Sequence, residues 1–310
     1  MTTNTGTITS YDQVGLKEDI SDIITNISPT KTPFQTSIGN ETVWNTLFQW
    51  QEDSLQAVGT NAQLEGFTAP SAVSQETVMR SNNTQIFAKV ASASGTTDAV
   101  KAYGRGKELA YQLAMRSAEI KRDLENAFIG VTTGSVAGSS TTARQTGSAA
   151  SMIDATVTFT NGTGGGLNFV GTTPAAAVIT ETAVLDVLQQ LYTDGAEPNT
   201  IMVKPADALN VAAFQGNNRT RFVDNGDRSV VNAVDFYDSP FGKIKVTLNR
   251  FIVPTDSLII DPAMWKKAVL RNWFRETLAK TGDATTVQIV GEFGLKHRNF
   301  KASGRITNLA

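Results

Sequence analysis

Cysteine is absent from the 310 residues, which removes disulfides, thiol nucleophiles, iron–sulfur clusters and cysteine-ligated zinc together. Histidine occurs once, at His297, so a multi-histidine metal centre and any mechanism that needs two imidazoles are excluded as well. Charged residues make up only 18% of the chain, below the roughly 25% typical of soluble domains. With 27 basic and 29 acidic side chains the net charge is −2, which argues against a dedicated nucleic-acid binder. No stretch approaches the ~18 apolar residues of a membrane span, and the opening MTTNTGTITSYDQ has no basic region leading into an apolar run. Nothing in the chain directs secretion, and no membrane partner is expected.

What remains is a chain that is 40% hydrophobic and rich in uncharged polar residues. That length and apolar content bury a substantial core. A weakly charged surface suits a protein that hides much of itself against other subunits. Residues 1–15 are Thr-rich without periodicity and read as a flexible arm. Leu16, Ile20, Ile23, Ile24 and Ile27 then fall at helical spacing before Pro29 stops the helix, and a short amphipathic helix on a loose arm docks elsewhere.

The run VWNTLFQWQEDSL is expected to place Trp44, Phe48 and Trp50 on one side of a strand, with a second extended run over 76–92. Between them GTNAQLEGFTAPSAVS supplies turns but no core of its own, so the two runs read as a long projecting hairpin. A stable monomer has to cover or charge the exposed edges of such a hairpin; a neighbouring subunit can cover them instead. Thr97 or Asp98 caps a helix expected to reach Ile129, with Gly104 and Gly106 weakening its start.

The composition then shifts. From Gly130 to Thr173 there are nine glycines and only Arg144 and Asp154 carry charge, which predicts a peripheral β excursion through DATVTF and LNFVG. An α/β layer follows: the helix TETAVLDVLQQLYTDG, the strand TIMV, the helix PADALNVAAF with Pro205 in its first turn, and the strands VDFY, KIKVTL and DSLIID. AMWKKAVLRNWFRE reads as short helical or extended, and TTVQIVGEFGLKHRNF as a strand returning towards the early helix.

Motifs that would carry chemistry do not hold. YGRGKELA lacks the glycine and the Ser or Thr of a phosphate loop, since position 101 is Lys and position 108 is Glu. His297 in KHRN reads as a surface or strand residue, no serine-nucleophile elbow is present, and DNGDRS lacks the later glutamate of a calcium loop. No catalytic, cofactor-binding or metal-binding residue is assigned.

One asymmetry survives. Residues 32–79 contain Glu41, Glu52, Asp53, Glu65 and Glu76 but no Lys or Arg, whereas 266–310 carries nine basic side chains against Glu276, Asp283 and Glu292. Scattered surface charge is one reading; complementary surfaces on adjacent copies is the other.

The order of arm, hairpin, long helix, α/β layer and returning strands resembles the Hong Kong 97-type fold of tailed-phage major capsid proteins. The segments GLKEDISDIITNISPTKTPFQTSIG, AVKAYGRGKELAYQLAMRSAEIKRDLENAFI, FYDSPFGKIKVTLNRFIVPTDSLIIDPAMWKKAVLR and EFGLKHRNFKASGRITNL, in that order, are similar to the capsid family of short-tailed phages like SU-ten.

The resemblance implies an α+β chain with an N-terminal arm (1–40), an extended E-loop (41–92), and a peripheral domain with spine helix and Gly/Thr-rich excursion (93–173). An axial domain (174–262) and C-terminal strands returning to the peripheral domain (263–310) complete it. It further implies pentamers and hexamers of this chain closing an icosahedral head around double-stranded DNA in the bacterial host cytoplasm, with a separate scaffolding protein and a portal protein. Leu16, Ile20, Trp44, Phe48, Trp50, Glu52, Asp53, Glu65 and Phe67 are the expected contacts between subunits. Some relatives join an E-loop lysine to an asparagine of another subunit, but no lysine occurs here between Lys31 and Lys89. A nanocompartment shell of the same fold, or more remotely a hydrolase, are the alternatives.

Overall fold

The computed structural model describes residues 28–69, 71–72, 74, 76–101, 104, 106–214 and 236–310. The expected arm helix with Leu16 and Ile20, and the polar loop 215–229, lie outside the described residues.

The chain enters through a short helix α1 (Pro33–Ser37) and strand β1 (Gly39–Thr42), then makes the antiparallel hairpin β2 (Leu47–Glu52) and β3 (Val78–Asn83). β4 (Gln85–Ser94) leads to helix α2 (Gly95–Ala99), and α3 runs over Glu108–Ile129. The expected continuous helix from 97 is therefore two. Ser94, not Thr97 or Asp98, caps α2 by accepting from the Thr97 N–H, and Gly104 at φ +73° keeps the intervening chain out of helix. The 22 residues of α3 span about 33 Å. Ile120, Leu124 and Phe128 recur every fourth residue, and that stripe is fully buried.

Two larger sheets share the rest. Beside β1 and β4 stand β11 (Trp265–Thr277) and β12 (Ala284–His297) in the order β1-β11-β12-β4, with α3 against one face. The segment AMWKKAVLRNWFRE is thus strand from Trp265 onward, and β12 pairs with β4 in the sheet that packs against α3. The second sheet has seven strands ordered β6-β5-β13-β10-β7-β9-β8. These are β5 (Thr158–Thr160), β6 (Gly166–Leu167), β7 (Thr200–Val203), β8 (Phe236–Ser239), β9 (Gly242–Leu248), β10 (Ser257–Ile260) and β13 (Gly304–Thr307).

Helix α4 (Glu181–Thr193) packs on that sheet through Val184, Val187, Leu188 and Leu191. Thr180 caps its start, and Gly195 at φ +88° follows its end, a backbone state that costs glycine little. Helix α5 (Pro205–Ala212) opens on Pro205, whose missing N–H would have had no partner in a first turn.

The Gly-rich excursion is not peripheral throughout. Ala149, Met152, Ile153 and Val157 belong to the main core, and β5 adds in parallel to β13. Asn161 donates to the Ala177 and Val178 carbonyls and accepts from Asn308. Local composition hid this, because the apolar residues are sparse and the strand that β5 joins, β13, lies at the far end of the chain. Excising Gly162–Gly166 is expected to melt the β5–β6 turn and cost particles, since Gly162 and Gly164 hold φ values of +119° and +83°. Hydrogen exchange at β13 checks it, with raised exchange of Thr307, the residue whose backbone faces β5, as the expected result.

Candidate subunit interface

The hairpin β2–β3 projects from the four-stranded sheet, and its connection 53–77 has no regular secondary structure in its described part. Along that connection Leu55 is 97% exposed, Leu64 85% and Phe67 54%, and Trp44 at the base is 92% exposed. Asp53 and Glu65 stand among them, also exposed. Apolar side chains this open on a thin hairpin have no apolar cover among the described residues.

Phe48 and Trp50 behave otherwise, which corrects the expectation that they face a neighbour. They are 7% and 8% exposed, stacked on each other at 5.9 Å and packed with Val43 and Ala268 in a small satellite core. Phe300 closes that core, 6.3 Å from the Trp50 ring. Trp44 does not share their face, because residues 44–46 form a bend before β2 begins and break the alternation. Gly294 marks how closely the hairpin is applied: a Cβ there would stand 2.7 Å from the Phe48 ring.

Glu52 is likewise committed at home. Its carboxylate takes the Arg80 guanidinium at 2.8 Å and the Phe300 backbone N–H at 2.9 Å, while Arg80 lies 4.3 Å over the Phe300 ring. Glu41 pairs with Lys296. Part of the acidic–basic complementarity between 32–79 and 266–310 is thus spent inside one chain. Asp53, Glu65 and Glu76 have no ion pair among the described residues.

Sequence reasoning missed the polar joints that hold this geometry. Asn82, fully buried, donates to the Thr146 hydroxyl and the Leu295 carbonyl and accepts from the Gly147 N–H, tying β3 to the excursion and to β12. Buried Glu292 takes Arg144, Arg271 and the Thr84 hydroxyl. Glu125 accepts the N–H groups of Phe34 and Gln35 at 2.8 and 2.9 Å and the Asn249 amide, joining α1, α3 and the loop before β10. Burial pushes its carboxyl up against the pull of those hydrogen bonds. His297 is a core residue rather than a surface one. Its ring stacks on Trp265 at 3.8 Å, its Nδ1 is 3.1 Å from the Met152 carbonyl, and its Nε2 is 3.1 Å from the Ser303 hydroxyl.

This arrangement offers surfaces for association, the Ser303–His297 contact is sealed in the core where no substrate reaches it, and comparisons with known proteins agree. The model of the SU10 major capsid protein family matches residues 1–310. The chain belongs to that family. A major capsid protein of Escherichia phage Phieco32 is 35% identical over 95% of each chain. Among solved structures, the capsid of a native GTA particle superposes with a TM-score of 0.64 at 14% identity, covering 97% of this chain and 98% of that one. Gordonia phage Cozz gives 0.63 at 13% identity over 99% and 96%, and the capsid of cyanophage P-SCSP1u gives 0.63 at 10% identity over 98% and 96%. The fold is the Hong Kong 97-type fold of phage capsids. The SU10-family chain is a tailed-phage major capsid protein, a structural component of the virion and not an enzyme.

Proposed function

We propose that this capsid subunit assembles as pentamers and hexamers into an icosahedral shell that closes around double-stranded DNA, built in the host cytoplasm with a separate scaffolding protein and a portal protein. Residues 1–40 act as the arm, 41–92 as the E-loop, and α3 with the four-stranded sheet as the peripheral domain. The axial domain begins earlier than residue 174, because β5 and β6 share the sheet of β7–β10. The C-terminal strands from 263 return to the peripheral sheet through β11 and β12.

The observation that carries the reading is the hairpin whose exposed apolar residues have no cover among the described residues. A matching surface exists on the same molecule. The face of the four-stranded sheet turned away from α3 leaves Ile86, Val90 and Phe274 exposed. A second copy can therefore supply it, and repetition of one such contact around a rotation axis closes a ring. Leu55, Leu64 and Phe67 contribute apolar burial of roughly 1.5–3 kcal/mol each when fully covered, whereas exposed ion pairs are worth about 0–1 kcal/mol. Asp53 and Glu65 then set orientation.

The test separates the two terms. Leu64→Ser with Phe67→Ser is expected to leave the subunit folded and abolish closed particles counted by electron microscopy. Asp53→Lys with Glu65→Lys is expected to lower their number at low salt and restore it as salt rises. Closed shells in normal yield from the apolar double variant would sink this contact. Denatured particles should run as single chains, because the hairpin has no lysine to form a cross-link.

A further inference from the structure

The segment Ser28–Ser37 crosses the molecule with an open groove on either side. One, of about 470 Å³, lies between the segment and strands β7 and β9, and Lys31, Thr36, Lys245 and Thr247 are on its walls. The other, of about 430 Å³, runs past Ser28 and Lys31 to Arg250. Among the described residues neither groove is lined by a carboxylate. Lys31, Lys245 and Arg250 are all exposed and make no ion pair among the described residues. Lys204 is excluded from this set, since its ammonium is held by the Pro254 carbonyl and Asp207.

The positive character extends on both flanks. On β9, Lys243 lies 4.5 Å over the Phe236 ring, with Asp238 opposite it in the β8–β9 register as that edge's carboxylate. On the other side of α1, Gln35 donates to the Lys121 carbonyl, and Lys121 stands near Lys267, whose pKa is lowered by burial and then by Lys121 itself. The nearby acids of α3 are occupied: Glu119 and Asp123 pair with Arg116 and Lys89, and Glu125 is buried against α1. In a chain of net charge −2, a track of cations interleaved with hydroxyls is a local reversal of sign.

We infer that the face crossed by residues 28–37 turns into the lumen of the shell and carries a sugar-phosphate backbone, with Lys31, Lys245 and Arg250 as its phosphate contacts. This rests on the shell reading above and assigns the DNA-facing side. Lys and Arg ammonium and guanidinium groups together with Ser and Thr hydroxyls are the side chains that bind phosphate without reading sequence. The other polyanion available, a second copy's acidic hairpin, fits less well. Its apolar side chains match the open face of the four-stranded sheet, and the two grooves offer it ammonium groups and hydroxyls instead.

The experiment measures binding of a short random-sequence DNA duplex to dissociated subunits across a salt series, for wild type and for Lys31→Gln with Lys245→Gln and Arg250→Gln. Each phosphate contact adds about 0.9 to the slope of log affinity against log salt, so the triple variant should lose about 2.7 from that slope. Between about 50 and 200 mM salt, that share of the wild-type loss is ~40-fold. Each single replacement should remove about 0.9, so misfolding of the triple variant does not stop the test. Lys280→Gln with Arg298→Gln should change nothing.

Closed wild-type shells should not bind added duplex, and the triple variant should still close shells. An unchanged slope in the triple variant overturns the assignment. So does polyglutamate binding that depends on the same three residues while duplex binding does not, which would mark a protein contact. Duplex bound to the outside of closed shells overturns the inward orientation. Failure of the wild-type chain to form shells would instead sink the shell reading and leave the slope as evidence about this face.

Discussion

Phe34→Ala is expected to destabilise the subunit by about 3–5 kcal/mol, the range for truncating a fully buried aromatic residue. The ring is 0% exposed and meets Phe128 and Trp265 edge-on, at centroid distances of 6.3 and 5.6 Å. Edge-on pairs add about 0.5–1.5 kcal/mol beyond area, so the cavity left by alanine loses both terms. Urea denaturation of dissociated subunits measures it. The consequence reaches beyond stability because Phe34 is the apolar half of a joint whose polar half is Glu125. Glu125 takes the N–H groups of Phe34 and Gln35, so α1 is held by side-chain packing and by the carboxylate at once.

Glu125→Gln separates the halves. The amide keeps the shape but turns one acceptor into a donor facing a buried N–H, a mismatch of about 1–3 kcal/mol. Hydrogen exchange should then rise at residues 34–38 while α4 and β7 stay protected. Equal protection at α1 in wild type and Glu125→Gln would show that packing alone holds the segment.

Elements whose information is local were legible in the sequence. Helix α4 appears where Thr180, the apolar spacing and Gly195 predict it, and α5 begins at Pro205 as expected. The hairpin was legible from alternation and from turn residues without a core. Contacts between distant residues were not. Glu52 looks like one more acid of an acidic stretch until Arg80 and Phe300, the latter 248 residues away, are placed beside it. Glu41 and Lys296 are separated by 255 residues, and their pairing turns one part of the expected intermolecular complementarity into an internal contact. The alternation that placed Trp44 with Phe48 and Trp50 assumed a continuous strand, and the bend at 44–46 breaks it. The Gly-rich stretch misled because composition reports chain entropy, not whether β13 and the α4 layer stand ready to order it.

Lowering the pH from 7 to 4 is expected to cost the subunit about 3 kcal/mol through His297 alone. The imidazole is fully buried between the Trp265 ring and the Met152 carbonyl, and burial holds its pKa down at about 3. In the unfolded chain it titrates near the ordinary value of about 6.5. Between those two values the unfolded chain binds a proton that the folded one refuses, so stability falls as pH drops through that window and levels off below about 3. Buried carboxyls work the other way. Glu125 and Asp256 have folded pKa values raised by burial, so their contribution is present at low pH and is lost as pH rises. A raw pH profile therefore mixes the two signs, and the measurement has to be a difference. Urea denaturation of wild type and His297→Gln at pH 7 and pH 4 supplies it. Glutamine fills most of the volume and bonds Ser303 or Met152 without titrating, so it should be the less stable protein at pH 7. The gap should narrow by about 3 kcal/mol at pH 4 and can reverse. A gap that stays constant between the two pH values would mean that the buried imidazole accepts its proton in place, with Ser303 turning its hydroxyl oxygen towards Nε2 and releasing the Trp265 indole N–H that it now accepts.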